Sequence, residues 1–197
     1  MNSAITGLVL AGGMGRRMGG IDKGLQAFHG EPMVAHVIRR LAPQVDALLI
    51  NANRNAERYA AFGHPVVPDA IGGYAGPLAG LHAGLTACRT PLLVSSPCDS
   101  PFLPLDLVAR LRDALERAGA DLAVARTGDQ LHPVFSLTYR HVLPGLTDFL
   151  DGGGRKVDLW YGVLKVVEVA FDDQPDAFAN INTLNELAAL SALPGES

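Results

Sequence analysis

Apolar residues along the chain follow two spacings. Short, nearly continuous runs at residues 5–10, 47–50, 65–67, 92–95, 122–125 and 134–137, with a looser one at 163–169, have the length and composition of buried strands. Between them the spacing widens to helical. Val34, Val37, Ile38 and Leu41 share one helical face behind Pro32, whose ring suits a first turn. Leu107, Val108, Leu111 and Leu115 form a second stripe, in a helix opened by Pro104 and followed by Gly119. Further helices are predicted within 54–62, over 78–88 and over 184–190, with glycine-rich loops at 69–77 and 152–154.

Strands that alternate with helices imply βαβ units. The predicted fold is therefore α/β, three-layer and Rossmann-like, with a mainly parallel central sheet covered by helices on both faces. Right-handed crossovers bring the loops that follow the strands to one edge, and ligands of such sheets bind there, at the carboxyl ends of the strands. Residues 12–23, Asn51, Asp69 and Asp99 are all predicted on that edge. No repeat or linker interrupts the pattern, so residues 1–197 read as a single domain.

Composition narrows the function. With 48% hydrophobic and 18% charged residues, the chain can bury a large core. A net charge of -4 argues against a surface that coats nucleic acid. Cys88 and Cys98 form neither a Cys-x-x-Cys pair nor a disulfide framework. No stretch approaches the roughly 20 apolar residues of a membrane-crossing helix. The first residues carry no basic region, and the apolar run 8–11 breaks at Gly12, so no secretory leader is expected. The expectation is a cytoplasmic protein with no nucleic-acid or membrane partner.

The strongest chemical signal follows the first strand: Leu10-Ala11-Gly12-Gly13-Met14-Gly15-Arg16-Arg17-Met18-Gly19-Gly20-Ile21-Asp22-Lys23-Gly24. Glycines expose backbone N–H groups and permit positive φ, so main-chain donors can cradle a phosphate chain. Arg16, Arg17 and Lys23 add positive charge beside it. A P-loop is excluded, because Lys23 is flanked by Asp22 and Gly24. A dinucleotide fingerprint counted from Gly13 fails at Met18, and Asn51 stands where its acidic ribose partner belongs.

The segment Leu-Ala-Gly-Gly-x-x-x-Arg-Met-Gly followed by Asp-Lys-Gly resembles the opening of the molybdenum cofactor guanylyltransferases. Further matches keep the same order: Asn51-Ala52-Asn53-Arg54, Pro68-Asp69, Gly76-Pro77-Leu78-Ala79-Gly80, Pro97-Cys98-Asp99-Ser100-Pro101 and Asn180-Ile181-Asn182-Thr183. The resemblance implies a nucleotidyltransferase fold whose N-terminal half binds nucleotide and whose C-terminal half binds acceptor. It implies transfer of GMP from GTP to the terminal phosphate of molybdopterin or Mo-molybdopterin, with Mg2+ as cofactor and pyrophosphate as by-product. Molybdopterin-loading proteins and molybdoenzyme chaperones are the protein partners it implies. Lys23, Arg17 and Asp99 are the catalytic candidates that follow. Leu10, Ala11, Gly12, Gly13, Gly15, Lys23, Asn51, Asp69 and Asp99 are the GTP-binding candidates.

At Asp99 the residues alone leave two readings open, a magnesium ligand or a turn residue before the helix at Pro104; the resemblance carries over the first. Asp69 is likewise either a nucleotide contact or a plain turn residue. Guanine asks for a donor at O6 and an acceptor at N2; the backbone of residues 10–13 can supply both, and Asn51 offers both polarities. Asn180 and Asn182 flank Ile181 and share one side of an extended segment, where the resemblance implies acceptor binding. Thr183 and Glu186 also have capping-box spacing, so Asn182 can equally belong to a helix start. His132 lines the acceptor pocket or is structural, and Arg155 and Lys156 meet the acceptor or water. Cys98 reads as a small buried residue beside Asp99. A cytidylyl or sugar-phosphate transferase is one competing function, and a non-catalytic GTP-binding regulator is the other.

Overall fold

The computed structural model describes residues 3–12, 22–71 and 76–181. Among these, seven strands form one sheet in the order β5 (Val66–Val67), β4 (Ala47–Asn51), β1 (Ile5–Leu10), β6 (Leu92–Pro97), β8 (Gln130–Tyr139), β7 (Leu122–Thr127) and β9 (Val166–Ala170). β8 runs antiparallel to both neighbours, and every other pairing is parallel. The mainly parallel sheet expected from sequence is present. A two-stranded hairpin, β2 (Ala27–Phe28) with β3 (Glu31–Pro32), sits apart from it.

Side chains that alternate along the strands feed two separate cores. Ile5 and Val9 of β1, with Leu92 and Val94 of β6, pack on one face under α1 (Met33–Leu41) and α4 (Leu107–Ala118). Leu8 and Leu93 face the opposite side, beneath α3 (Pro77–Ala87), α5 (Leu143–Asp151) and Trp160 of α6 (Val157–Tyr161). The period of two along a strand thus produces the three layers. The short helix α2 (Ala56–Ala60) follows β4 and contributes the fully buried Tyr59 to the first core.

The second predicted stripe is buried throughout and the first is buried apart from the partly exposed Ile38, although α4 begins at Leu107, three residues beyond Pro104. Gly119 ends it at φ +53°, a conformation that favours glycine. Periodicity did not disclose α5, α6 or the small hairpin. The helix predicted over 184–190 lies outside the described residues. No helix among the described residues is long and apolar enough to cross a membrane.

The chain leaves β1 through α1 towards β4, and leaves β5 through α3 towards β6, so the two connections depart to opposite sides of β1. This is the topological switch at which doubly wound sheets bind ligands. The carboxyl ends of β1, β4 and β6 meet there: Ala11 N–H donates to Asn51 O at 2.8 Å, and Cys98 N–H donates to Leu10 O at 3.1 Å.

Candidate active site

Lys23 opens a single 3-10 turn, Lys23–Leu25, at this edge. Its Nζ lies 3.3 Å from Oδ2 of Asp99, which follows β6 by two residues. Both side chains are mostly buried, at 19% and 15% exposure, so the pair is only partly screened by water. Two groups separated by 76 residues in sequence are thereby brought together, as the edge placement predicted.

Asn51, the last residue of β4, is buried. Its Nδ2 donates to Val67 O at 3.1 Å and to Asp69 Oδ1 at 2.8 Å. Both partners are obligate acceptors, so the amide orientation is fixed chemically, with Oδ1 turned towards Gly12 and Gly80. Asn53 completes the arrangement: its Nδ2 donates to Asp69 Oδ2 at 2.8 Å and its Oδ1 accepts from Asp69 N–H at 2.8 Å. Both carboxylate oxygens of Asp69 are therefore engaged by asparagines. Asp69 acts on this site by orienting Asn51.

A second chain segment crosses Asp99. Ile181 N–H donates to Asp99 O at 2.9 Å, and the buried Ser100 hydroxyl donates to Asn180 Oδ1 in a short hydrogen bond. Three residues earlier Phe178 stacks on His132, with ring centroids 4.6 Å apart and planes 14° from parallel. His132 Nε2 is 2.7 Å from Thr127 Oγ1. Burial disfavours its imidazolium and lowers its pKa, so the His132 ring is neutral at pH 7. Asn180 and His132 are thus linked to Asp99 through one segment. Arg155 donates to Leu150 O at 2.7 Å and to Gly154 O, closing the end of α5. Lys156 immediately precedes α6, away from this network, and Gly13, Gly15, Arg16, Arg17 and Asn182 lie outside the described residues.

Sequence reasoning assigned no role to Asn53, Asn55, Tyr59 or Ser100. Asn53 stands two residues beyond Asn51, the same spacing that drew attention to Asn180 and Asn182, so that signal was available. Tyr59 carried no signal beyond an apolar helix position. Its hydroxyl donates to Asp22 Oδ1 at 2.5 Å, and Asn55 Nδ2 donates to Asp22 Oδ2 at 2.8 Å. Cys98 is buried, and burial with the nearby Asp99 and Asp22 carboxylates pushes its thiol well above the usual range. It remains a neutral thiol with no nucleophilic character.

The donor set limits which metal suits this edge. Among the described residues no cluster of three or more His, Cys, Asp or Glu could hold an ion. A zinc site of nitrogen and sulfur ligands does not fit. One carboxylate, Asp99, at the carboxyl ends of β1 and β6 does fit a hard cation that takes one or two carboxylates and fills its shell with phosphate and water oxygens.

Comparison with known proteins agrees with this geometry. Residues 7–162 match the family model described as the MobA-like NTP transferase domain. The molybdenum cofactor guanylyltransferase of Cupriavidus taiwanensis is 55% identical over 193 residues, covering 95% of this chain and 96% of the relative. A solved structure, molybdopterin-guanine dinucleotide biosynthesis protein A from Archaeoglobus fulgidus, superposes with a TM-score of 0.78 at 24% identity, covering 94% of this chain and 96% of that one. Rv0371c from Mycobacterium tuberculosis H37Rv, solved in complex with manganese, superposes with a TM-score of 0.67 at 21% identity over 95% of this chain and 98% of that one.

Proposed function

From the premise that the chain belongs to the MobA-like NTP transferase domain family, we propose that it transfers GMP from GTP to the terminal phosphate of molybdopterin or Mo-molybdopterin. The observation that carries this reading is the Lys23–Asp99 pair at the carboxyl ends of β1 and β6, where the glycine-rich loop begins.

The acceptor is a phosphate monoester with a second pKa of about 6, and is already largely dianionic at neutral pH. It needs no general base. One of its oxygens attacks the α-phosphorus of GTP and forms the new P–O bond. The bond from the α-phosphorus to the bridging oxygen of the β-phosphate breaks, and the electron pair leaves with pyrophosphate. The residues have two tasks, alignment and neutralisation of charge. Lys23 and Arg17 act as the cations at the phosphate chain, with the backbone of Gly12, Gly13 and Gly15 as donors. Asp99 holds Lys23 in place and would hold Mg2+, which when bound adds positive charge at the α-phosphate and at the departing pyrophosphate.

In this reading the backbone of Leu10 and Ala11, with Asn51 oriented by Asp69, meets the guanine. Asn180, Asn182 and the neutral His132 meet the acceptor. The N-terminal and C-terminal halves form one domain around the sheet edge. The reaction is cytoplasmic, and molybdopterin-loading proteins and molybdoenzyme chaperones stand before and after it.

The test is incubation of the protein with Mg2+, molybdopterin and equal GTP and CTP, followed by identification of the nucleotide joined to the pterin. A guanine dinucleotide establishes reaction, acceptor and base together. A cytosine product keeps the mechanism and overturns the base assignment. No product, with acceptor proven competent by a control enzyme, leaves a nucleotide-binding regulator or a different acceptor as the answer.

A further inference from the structure

Lys23 is bracketed by two contacts with one side chain. On its N-terminal side Asp22 accepts a 2.5 Å hydrogen bond from the Tyr59 hydroxyl. On its C-terminal side Gly24 lies against the same hydroxyl: a Cβ built on Gly24 would stand 2.6 Å from Tyr59 Oη. Cys98 shares that contact: its Sγ and Cβ would lie 3.1 and 3.2 Å from the same Cβ. Cys98 immediately precedes Asp99. The backbone around Lys23 is therefore packed closely against both the α2 tyrosine and the residue next to its ion-pair partner.

Tyr59 is fully buried, and Asp22 has both carboxylate oxygens occupied, by Tyr59 and by Asn55. Nothing in a hydrophobic core requires a hydroxyl at position 59; phenylalanine would fill the same volume without a polar group to satisfy. The burial raises the phenol's pKa far above the normal range, so it stays a donor at any physiological pH. A hydrogen bond from a buried neutral donor to a carboxylate is among the stronger kinds.

We propose that the Tyr59 hydroxyl, acting through Asp22 and Gly24, is a positioning group that sets the distance between Lys23 Nζ and Asp99. The inference rests on the assignment of Lys23 to the transfer site. Tyr59 touches no reacting atom; it fixes the backbone from which Lys23 reaches. Because a misplacement of about 1 Å can cost as much as 10²-fold in rate, losing one of the two contacts lowers kcat by about tenfold. The KM for GTP stays close to wild type, since most nucleotide contacts are made elsewhere.

A double-mutant comparison separates positioning from general support of the fold. Steady-state kinetics are measured for Tyr59→Phe in the native background and in Lys23→Ala. The expected result is a roughly tenfold loss of kcat in the first and no further loss in the second. The same loss in both backgrounds, or none in the native one, overturns the proposal. Should Tyr59→Phe fold poorly, Asp22→Asn and Asp22→Ala replace it: Asn keeps an oxygen for Tyr59 and retains more turnover than Ala, whereas equal turnover overturns the proposal. Guanine dinucleotide formation by the wild-type enzyme runs alongside. Its failure would strike the proposed function, while its success with additive mutants would strike only the role of Tyr59.

Discussion

Oδ1 of Asn51 lies so close to Gly80 that a Cβ added at residue 80 would stand 2.4 Å from it. The same Cβ would stand 2.5 Å from Cδ2 of Leu10. Helix α3 can therefore approach the ends of β1 and β4 only because residue 80 has no side chain. Gly80→Ala must push the helix outward or rotate the asparagine. Overpacking of this kind costs about 1–3 kcal/mol. The expected outcome is a melting temperature lower by several degrees and a raised KM for GTP. Unchanged values for both would show that the asparagine yields without consequence.

Lys23→Ala and Asp99→Ala are each expected to remain folded and to lose about 10²-fold or more in kcat. Each change leaves a partner charge at the sheet edge, where it keeps some contact with water. The melting temperature should therefore fall modestly, by far less than turnover. Asp99→Ala should in addition require more Mg2+ for half-maximal rate. Thermal melts beside a magnesium titration check both points, and wild-type turnover in either variant would remove that residue from the mechanism.

The layered sheet was legible because strand burial is a local property: Leu8 between the flanking Gly7 and Val9 already states which face each residue joins. The edge position of Asn51 and Asp99 followed from the same alternation and the right-handed crossover rule. The reversal of β8 was not legible, because the tight turn after Thr127 looks like any polar break between strands. Nor was the Asp22–Tyr59 bond, which joins positions 37 apart in sequence through a phenol whose only visible trait was its apolar ring. Asn53 was overlooked for a different reason. Its partner Asp69 is distant in sequence, and only the parallel pairing of β4 with β5 brings the two loops together.

His132 provides a pH signature. Burial lowers its pKa below the usual 6.5, so the unfolded chain binds the proton first. Its contribution to stability is present above pH 6.5 and is lost as pH falls through the lower folded value. His132→Gln removes that group. Denaturant unfolding of both proteins at pH 7.5 and 5.5 should show a larger drop in the wild type than in the variant. The remaining histidines are common to the pair, so their titration cancels in the difference. An equal drop would mean that the stacked ring accepts the proton without loss.

The orientation of Asn51 permits a sharper test than its deletion. Its Nδ2 faces two groups that can only accept, Val67 O and the Asp69 carboxylate. Asn51→Asp removes both donated bonds and sets a second carboxylate against the first, in a place nearly closed to water. Like charges so close in a poorly solvated site disfavour joint ionisation. The variant should therefore be destabilised at pH 7 and recover part of its stability in mild acid, where one of the two carboxyls takes a proton. Its KM for GTP should rise. Adding Asp69→Asn restores a donor on the opposite side and removes one of the two charges, so the double variant should melt above Asn51→Asp alone. It should stay below wild type, because Val67 O keeps only the Ala52 N–H and still lacks the second donor that Asn51 supplied. If the second change deepens the damage instead, the Asn51–Asp69 bond is not what fixes the amide, and the contact between Asp69 and Asn53 would carry the orientation of this loop by itself.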